Sequence, residues 1–197
     1  MYTSLRKNIE KSIQVTDEEF AEFCAPFNLK VVKKKEFLLK EGSICRFEGL
    51  VTKGCFRVYF LDDNGFEQIL YFATEDWWVT DIDSFTNKIP ARLNIEALED
   101  SEVLMISWAD KEKLYEQFPK VERLFRIMNQ RSLVALHRRI FSSQSKTADK
   151  RYLEFIEKYP HLEQRLSQQQ VAAYLGISHE FLSKIRKKLA TKGKAPQ

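Results

Sequence analysis

The hydrophobic period of this chain changes once, and that change decides its fold class. From Val31 to Ser107 apolar residues come in short runs rich in Val, Phe, Tyr and Ile; after Trp108-Ala109-Asp110 they recur about every 3.6 residues. The first regime reads as β-strands, because turn formers interrupt it at Gly42-Ser43, Gly49, Lys53-Gly54 and Asp62-Asp63-Asn64-Gly65. Residues 55–61 and 67–72 flank Asp-Asp-Asn-Gly, where Asn64 and Gly65 accept a positive φ at little cost, so the two runs form a hairpin. Residues 94–98 and 102–107 are two more strands around Glu99-Asp100-Ser101. Strands this closely spaced, with no helices between them, pack as an antiparallel sandwich or barrel. Lys33-Lys34-Lys35 is expected to be a solvated strand edge that discourages edge pairing.

The rest of the chain reads as helix. Thr16 and Glu19 form a capping box, with Phe20, Phe23 and Cys24 on one face of the helix that follows. A long helix is expected from near Pro119, which suits a first turn, to near Ser142. Its apolar residues, Val121, Leu124, Phe125, Ile127, Met128, Leu133, Val134, Leu136 and Ile140, occupy more than one stripe. They can face both the β region and a second copy of the same helix, and a two-fold dimer would seat Val121, Leu124, Phe125, Met128 and Ala135 at its seam. The alternative is a helix packed only within its own chain. The polar run 142–147 marks a boundary, after which Tyr152, Leu153, Phe155 and Ile156 form the core of a helix from Ala148 to about Tyr159. The expected domains are 1–118, 119–142 and 146–197.

With 197 residues there is room for one or two cores, and 44% hydrophobic with 13% aromatic residues exclude a disordered chain. No apolar run approaches the roughly 18–20 residues of a membrane helix, and the N-terminus lacks the apolar stretch of a signal peptide, so a cytoplasmic protein without a membrane partner is expected. Cys24, Cys45 and Cys55 form no CxxC pair and read as reduced, buried thiols; His137, His161 and His179 are too scattered for a metal site or a catalytic dyad. The chain is therefore not expected to be an enzyme. Charge is uneven: residues 1–119 hold 15 Lys+Arg against 22 Asp+Glu, net −7, and residues 120–197 hold 17 against 6, net +11. A basic C-terminal third on an acidic body suits a domain that meets a polyanion.

Residues 167–189 say which polyanion. Ser167 and Gln170 make a second capping box, Val171 and Leu175 lie one turn apart on an inner face, and Ala172 is small where another helix must pass. Gly176 ends the helix, Ile177 plugs the core, and Ser178 caps a second helix that turns Leu182, Ile185 and Leu189 inward. That is the layout of a helix-turn-helix, whose second helix enters the major groove of double-stranded DNA. Removing the inward residues leaves Ser178, His179, Glu180, Ser183, Lys184 and Lys187 as base readers: Glu180 can accept from cytosine, and His179 and Lys184 can donate to guanine. Arg165, Arg186, Lys188 and Lys192 are assigned to phosphates.

Strand-rich N-terminal region, long helix and helix-turn-helix, in that order, resemble the CRP/FNR family of bacterial transcription regulators. The resemblance runs from about Phe37 to Leu189 and is carried by residues 53–59, 95–104, 171–178 and 182–189. It implies an α+β protein: an N-terminal antiparallel double-stranded β-helix (jelly roll), a long dimerisation helix and a C-terminal winged helix-turn-helix. It also implies a homodimer on a palindromic site, with RNA polymerase as a candidate further partner, and His179, Glu180 and Lys184 fall where the family reads bases. The sensor departs from the pattern. Where cyclic-nucleotide binders of the family carry Gly-Glu and Arg-Ser, this sequence has about Val79-Thr80 and Ala91-Arg92. No glycine occurs between Gly65 and Gly176 to let backbone approach a phosphate, and Asp81 and Asp83 would repel one. Cyclic AMP is not the expected effector, although a one-residue shift would let Arg92 serve. Trp77, Trp78, Thr80, Phe85 and Arg92 could instead line an aromatic pocket for a small organic acid, or the aromatics could be core or face the long helix. A small-molecule-binding module that acts through a protein partner is the rival function.

Overall fold

The computed structural model describes residues 2–192. Its elements, in chain order, are α1 (Thr3–Glu10), α2 (Asp17–Cys24), β1 (Asn28–Val32), β2 (Phe37–Leu39), β3 (Phe47–Lys53), β4 (Phe56–Leu61), β5 (Glu67–Ala73), β6 (Trp78–Val79), α3 (Ile82–Asn87), β7 (Asn94–Ala97), β8 (Ser101–Ser107), α4 (Trp108–Gln117), α5 (Pro119–Ser145), α6 (Ala148–Lys158), α7 (Gln168–Leu175) and α8 (His179–Lys192). Chain contacts divide these into two units, residues 1–60 with 71–133, and residues 61–70 with 134–197.

The strands form two four-stranded sheets, ordered β1-β8-β3-β6 and β2-β7-β4-β5, with antiparallel pairing. The period of two does the sorting in the first unit. In β3, Leu50 joins one core and its neighbour Val51 the other; in β8, Leu104 and Val103 divide the same way. One core sets Leu50, Leu104 and Ile106 against helical residues Leu5, Ile9, Phe23, Leu114, Leu124 and Phe125. The other gathers Val32, Val51 and Val103 of one sheet with Phe56, Val58, Ile95 and Ala97 of the second. Across β4 and β7, Arg57 stands opposite Glu96 and binds it at 2.7 Å.

Both predicted capping boxes form, at Thr16 and at Ser167. Other expectations change. Lys33, Lys34 and Lys35 are the turn between β1 and β2 rather than a strand edge: Asp100 takes the Lys33 ammonium at 2.9 Å and the Lys34 N–H at 3.0 Å, and Lys35 turns through φ 70°. The long helix runs one turn past Ser142, because the Ser143 and Ser145 hydroxyls donate to the Ile140 and Phe141 carbonyls and satisfy themselves within the helix. No described helix is long and apolar enough to cross a membrane.

Candidate nucleic-acid interface

In the second unit, α7 and α8 are joined by Gly176-Ile177-Ser178. The Ser167 hydroxyl accepts from the Gln170 N–H at 3.2 Å and the Gln170 side chain accepts from the Ser167 N–H at 2.8 Å, which fixes where α7 starts. Gly176, at φ 64°, ends it in the left-handed region. Ser178 then accepts from the Phe181 N–H at 3.1 Å and starts α8. Val171, Ala172, Leu175, Leu182 and Ile185 are buried, so the two helices share one small core. His179, Glu180, Ser183, Lys184 and Lys187 are all exposed, as is Ser178 before them. The Glu180 carboxyl accepts from its own backbone N–H and from Ser178, which holds it below the usual carboxylate range and keeps it charged near neutrality.

The candidate phosphate ligands are placed differently. Arg186 lies 3.8 Å from Glu163 and Lys188 lies 2.5 Å from Asp149, so each is tied to an acid of its own unit. Arg165 is half-buried. The Lys192 side chain, and residues 193–197 where a wing would begin, lie outside the described residues.

Two arginines that sequence reading passed over hold this pair from behind. Arg139 of α5 donates through Nη2 to the Tyr174 carbonyl at 2.9 Å and to the Ile69 carbonyl at 2.7 Å, with its guanidinium 4.3 Å from the Tyr174 ring centre. Arg151 of α6 donates to the Leu175 carbonyl at 2.6 Å. The last carbonyls of a helix have no partner within it and carry its negative end, so two cations there fix the turn leading into α8. Arg139 Nη1 and Arg151 Nε are buried and unpartnered. Nothing in the spacing of Arg139 or Arg151 signals this role; it follows only from the packing of α5 and α6 against α7.

The sensor candidates do not converge. Trp78 faces the helical core, 5.5 Å from Phe125 and 6.2 Å from Phe27, and donates to Asn8 Oδ1 at 3.0 Å. Trp77 and Phe85 belong to the core between the sheets, and Arg92 is exposed. Thr80 is engaged as well, donating to the Phe47 carbonyl at 2.9 Å. Of the two readings open for the aromatics, the structure has Trp77 and Phe85 packed with the core between the sheets and Trp78 turned toward α5. At the positions where the family's cyclic-nucleotide binders hold the phosphate, Val79 is fully buried and Ala91 is buried too. Asp81, also buried, accepts from the Ser84 N–H at 3.2 Å and caps α3. Nearby, Lys111 of α4 is buried against Glu48 of β3, its ammonium 4.2 Å from the Phe125 ring centre. Among the described residues no cluster of His, Cys, Asp or Glu is placed to hold a metal.

On α5, Val121, Leu124 and Phe125 are buried in the core of their own chain and Met128 packs against it, so they form no free seam. Ala135 is exposed, and around it Leu133, Leu136, Ile140 and Phe141 are between 44% and 66% exposed.

Residues 29–118 match the family model of the cyclic nucleotide-binding domain. The chain is 25% identical to the transcriptional activator protein Anr of Pseudomonas aeruginosa over 198 residues, covering 86% of this chain and 79% of Anr. Among solved structures, CLP of Xanthomonas campestris, described as a c-di-GMP responsive global regulator, superposes with a TM-score of 0.75 at 15% identity, over 92% of this chain and 96% of CLP. FixK2 of Bradyrhizobium japonicum superposes with a TM-score of 0.74 at 22% identity, over 85% and 86% of the two chains. Sheets, helices and their order are those of these two structures, so the chain shares their fold.

Proposed function

We propose that this protein is a homodimeric, sequence-specific DNA-binding transcription regulator whose sensor domain does not hold cyclic AMP. The observation that carries the reading is the face of α8: Glu180, Ser183, Lys184 and Lys187 exposed together over a buried Leu182 and Ile185, with His179 at its edge, in a basic C-terminal third. In this reading α7 and α8 are a helix-turn-helix of winged type, the two sheets are a jelly roll, and the domains are a sensor (1–118), a dimerisation helix (119–142) and a DNA-binding domain (146–197). Exposed Leu136 and Ile140, one turn apart on α5, support a helix-to-helix dimer further along than the seam first expected. A two-fold dimer sets a palindromic operator, with half-sites about one helical turn apart. The buried Asp81 cap and the absence of glycine between Gly65 and Gly176 support a sensor that has left cyclic nucleotides. A cytoplasmic location and contact with RNA polymerase complete the proposal.

The test is selection of duplexes from random DNA with the purified protein at two salt concentrations, with and without cyclic AMP. A two-fold symmetric motif enriched equally in both arms is expected, with affinity falling steeply as salt rises. Enrichment only with cyclic AMP would overturn the sensor reading. Absence of any motif and of salt-dependent DNA affinity would point to a module that acts through a protein partner.

A further inference from the structure

Phe181 is the largest apolar side chain of α8 and stands 47% exposed, while Leu182 and Ile185 beside it are buried. It lies in the first turn, immediately after Glu180 and one turn before Lys184, with Lys188 a further turn along the same flank. The helix carries Lys184, Arg186, Lys187, Lys188 and Lys192 against a single acid, Glu180. Phe181 makes no ring or cation contact among the described residues. A large ring left about half exposed beside a row of cations calls for a partner that is anionic overall and apolar at one point. The major groove offers that combination: phosphates line its edges, and the thymine 5-methyl is the apolar feature of its floor. An apolar protein surface would leave the Lys184 and Lys187 ammonium groups unpaired, and a membrane would need more than one exposed ring on the helix.

We infer that Phe181 reads a thymine methyl in each half-site, and so sets a thymine preference beside the bases that Glu180 and Lys184 read. The inference rests on the DNA-reading assignment of α8. Its test uses the full chain and the duplex recovered by random-sequence selection, resynthesised with uracil replacing thymine at single symmetric positions. Uracil keeps the hydrogen-bonding edge and removes only the methyl. Wild-type affinity is expected to fall about fourfold per half-site at one position, the factor that burial of one methyl group supplies. Phe181→Ala should bind thymine and uracil duplexes equally there, with a melting temperature only slightly lowered because about half of the side chain is already exposed. If wild type is indifferent to every replacement, or Phe181→Ala keeps the same sensitivity, the inference is overturned while DNA reading stands. If no duplex is enriched at all, the DNA-reading assignment fails first and takes the inference with it.

Discussion

Gly176 and Gly54 both sit in the left-handed region, at φ 64° and 95°, and they differ in what surrounds them. A β-carbon at Gly176 would meet nothing within 4 Å, so Gly176→Ala carries only the backbone strain, about 1–2 kcal/mol. At Gly54 it would stand 2.1 Å from Ser101 Oγ and 2.8 Å from the Ser101 Cα, so Gly54→Ala must also move β8. Urea denaturation should rank Gly54→Ala well below Gly176→Ala in stability. On α8, Lys184→Ala should cost about 1–3 kcal/mol and relax selectivity at one base pair, which binding to single-base variants of the selected duplex would read. Lys188 is held by Asp149, so Asp149→Asn should release it to phosphate, strengthen binding to every duplex alike and steepen the dependence on salt. A titration in which Asp149→Asn left random-sequence binding unchanged would remove Lys188 from the phosphate set. The exposed row His179, Glu180, Ser183, Lys184 and Lys187 was legible because helical spacing subtracts the inward residues. The engagement of Lys188 and Arg186 was not, since it depends on where α6 and the segment after it bring their acids.

Helix α5 shows what periodicity tells and what it withholds. The 3.6-residue spacing gave its start at Pro119 and nearly all its length, but apolar residues on several stripes do not say which stripe is covered by the chain itself. The structure turns Val121, Leu124 and Phe125 inward and leaves Leu133, Leu136 and Ile140 out. Leu124→Ala should therefore cost about 2–5 kcal/mol of stability while leaving self-association intact. Leu136→Asp should do the opposite, giving a folded monomer in sedimentation. Equal effects of the two on association would place the dimer elsewhere. Three short helices escaped the sequence reading for local reasons. No side chain of Tyr2 caps α1; α3 has only six residues, begun by Asp81; and α4 follows β8 without a linker, with Ser107 accepting from the Asp110 N–H at 3.1 Å.

Across the whole chain, carboxylates set the response to acid. Glu19 accepts from Lys120, Asp100 from the Lys34 N–H and from Lys33, Asp110 from Ser107 and Glu154 from Lys146, and each is held below its ordinary value of 3.8 or 4.5. A folded-state value below the unfolded one adds stability above the unfolded value and loses it as pH falls through the folded one. Melting temperature should be flat near neutrality and decline below about pH 4.5, by small steps because these groups are exposed. A decline already at pH 6 would assign the acid response to other groups. The charge division between the two parts of the chain, and the order of strands, long helix and helix pair, were legible from sequence, because each rests on local pattern. Which aromatics pack where was not, since Trp77, just before β6, lies against the core between the sheets and Trp78, the first residue of β6, against the helical core. Arg139 has a practical corollary for transplanting this module. A fragment cut at the polar run after Ser142 keeps Arg151 but discards Arg139, leaving the Tyr174 carbonyl without its cation and the Tyr174 ring without its cover. A helix pair transplanted with both of its arginine anchors thus begins upstream of Arg139.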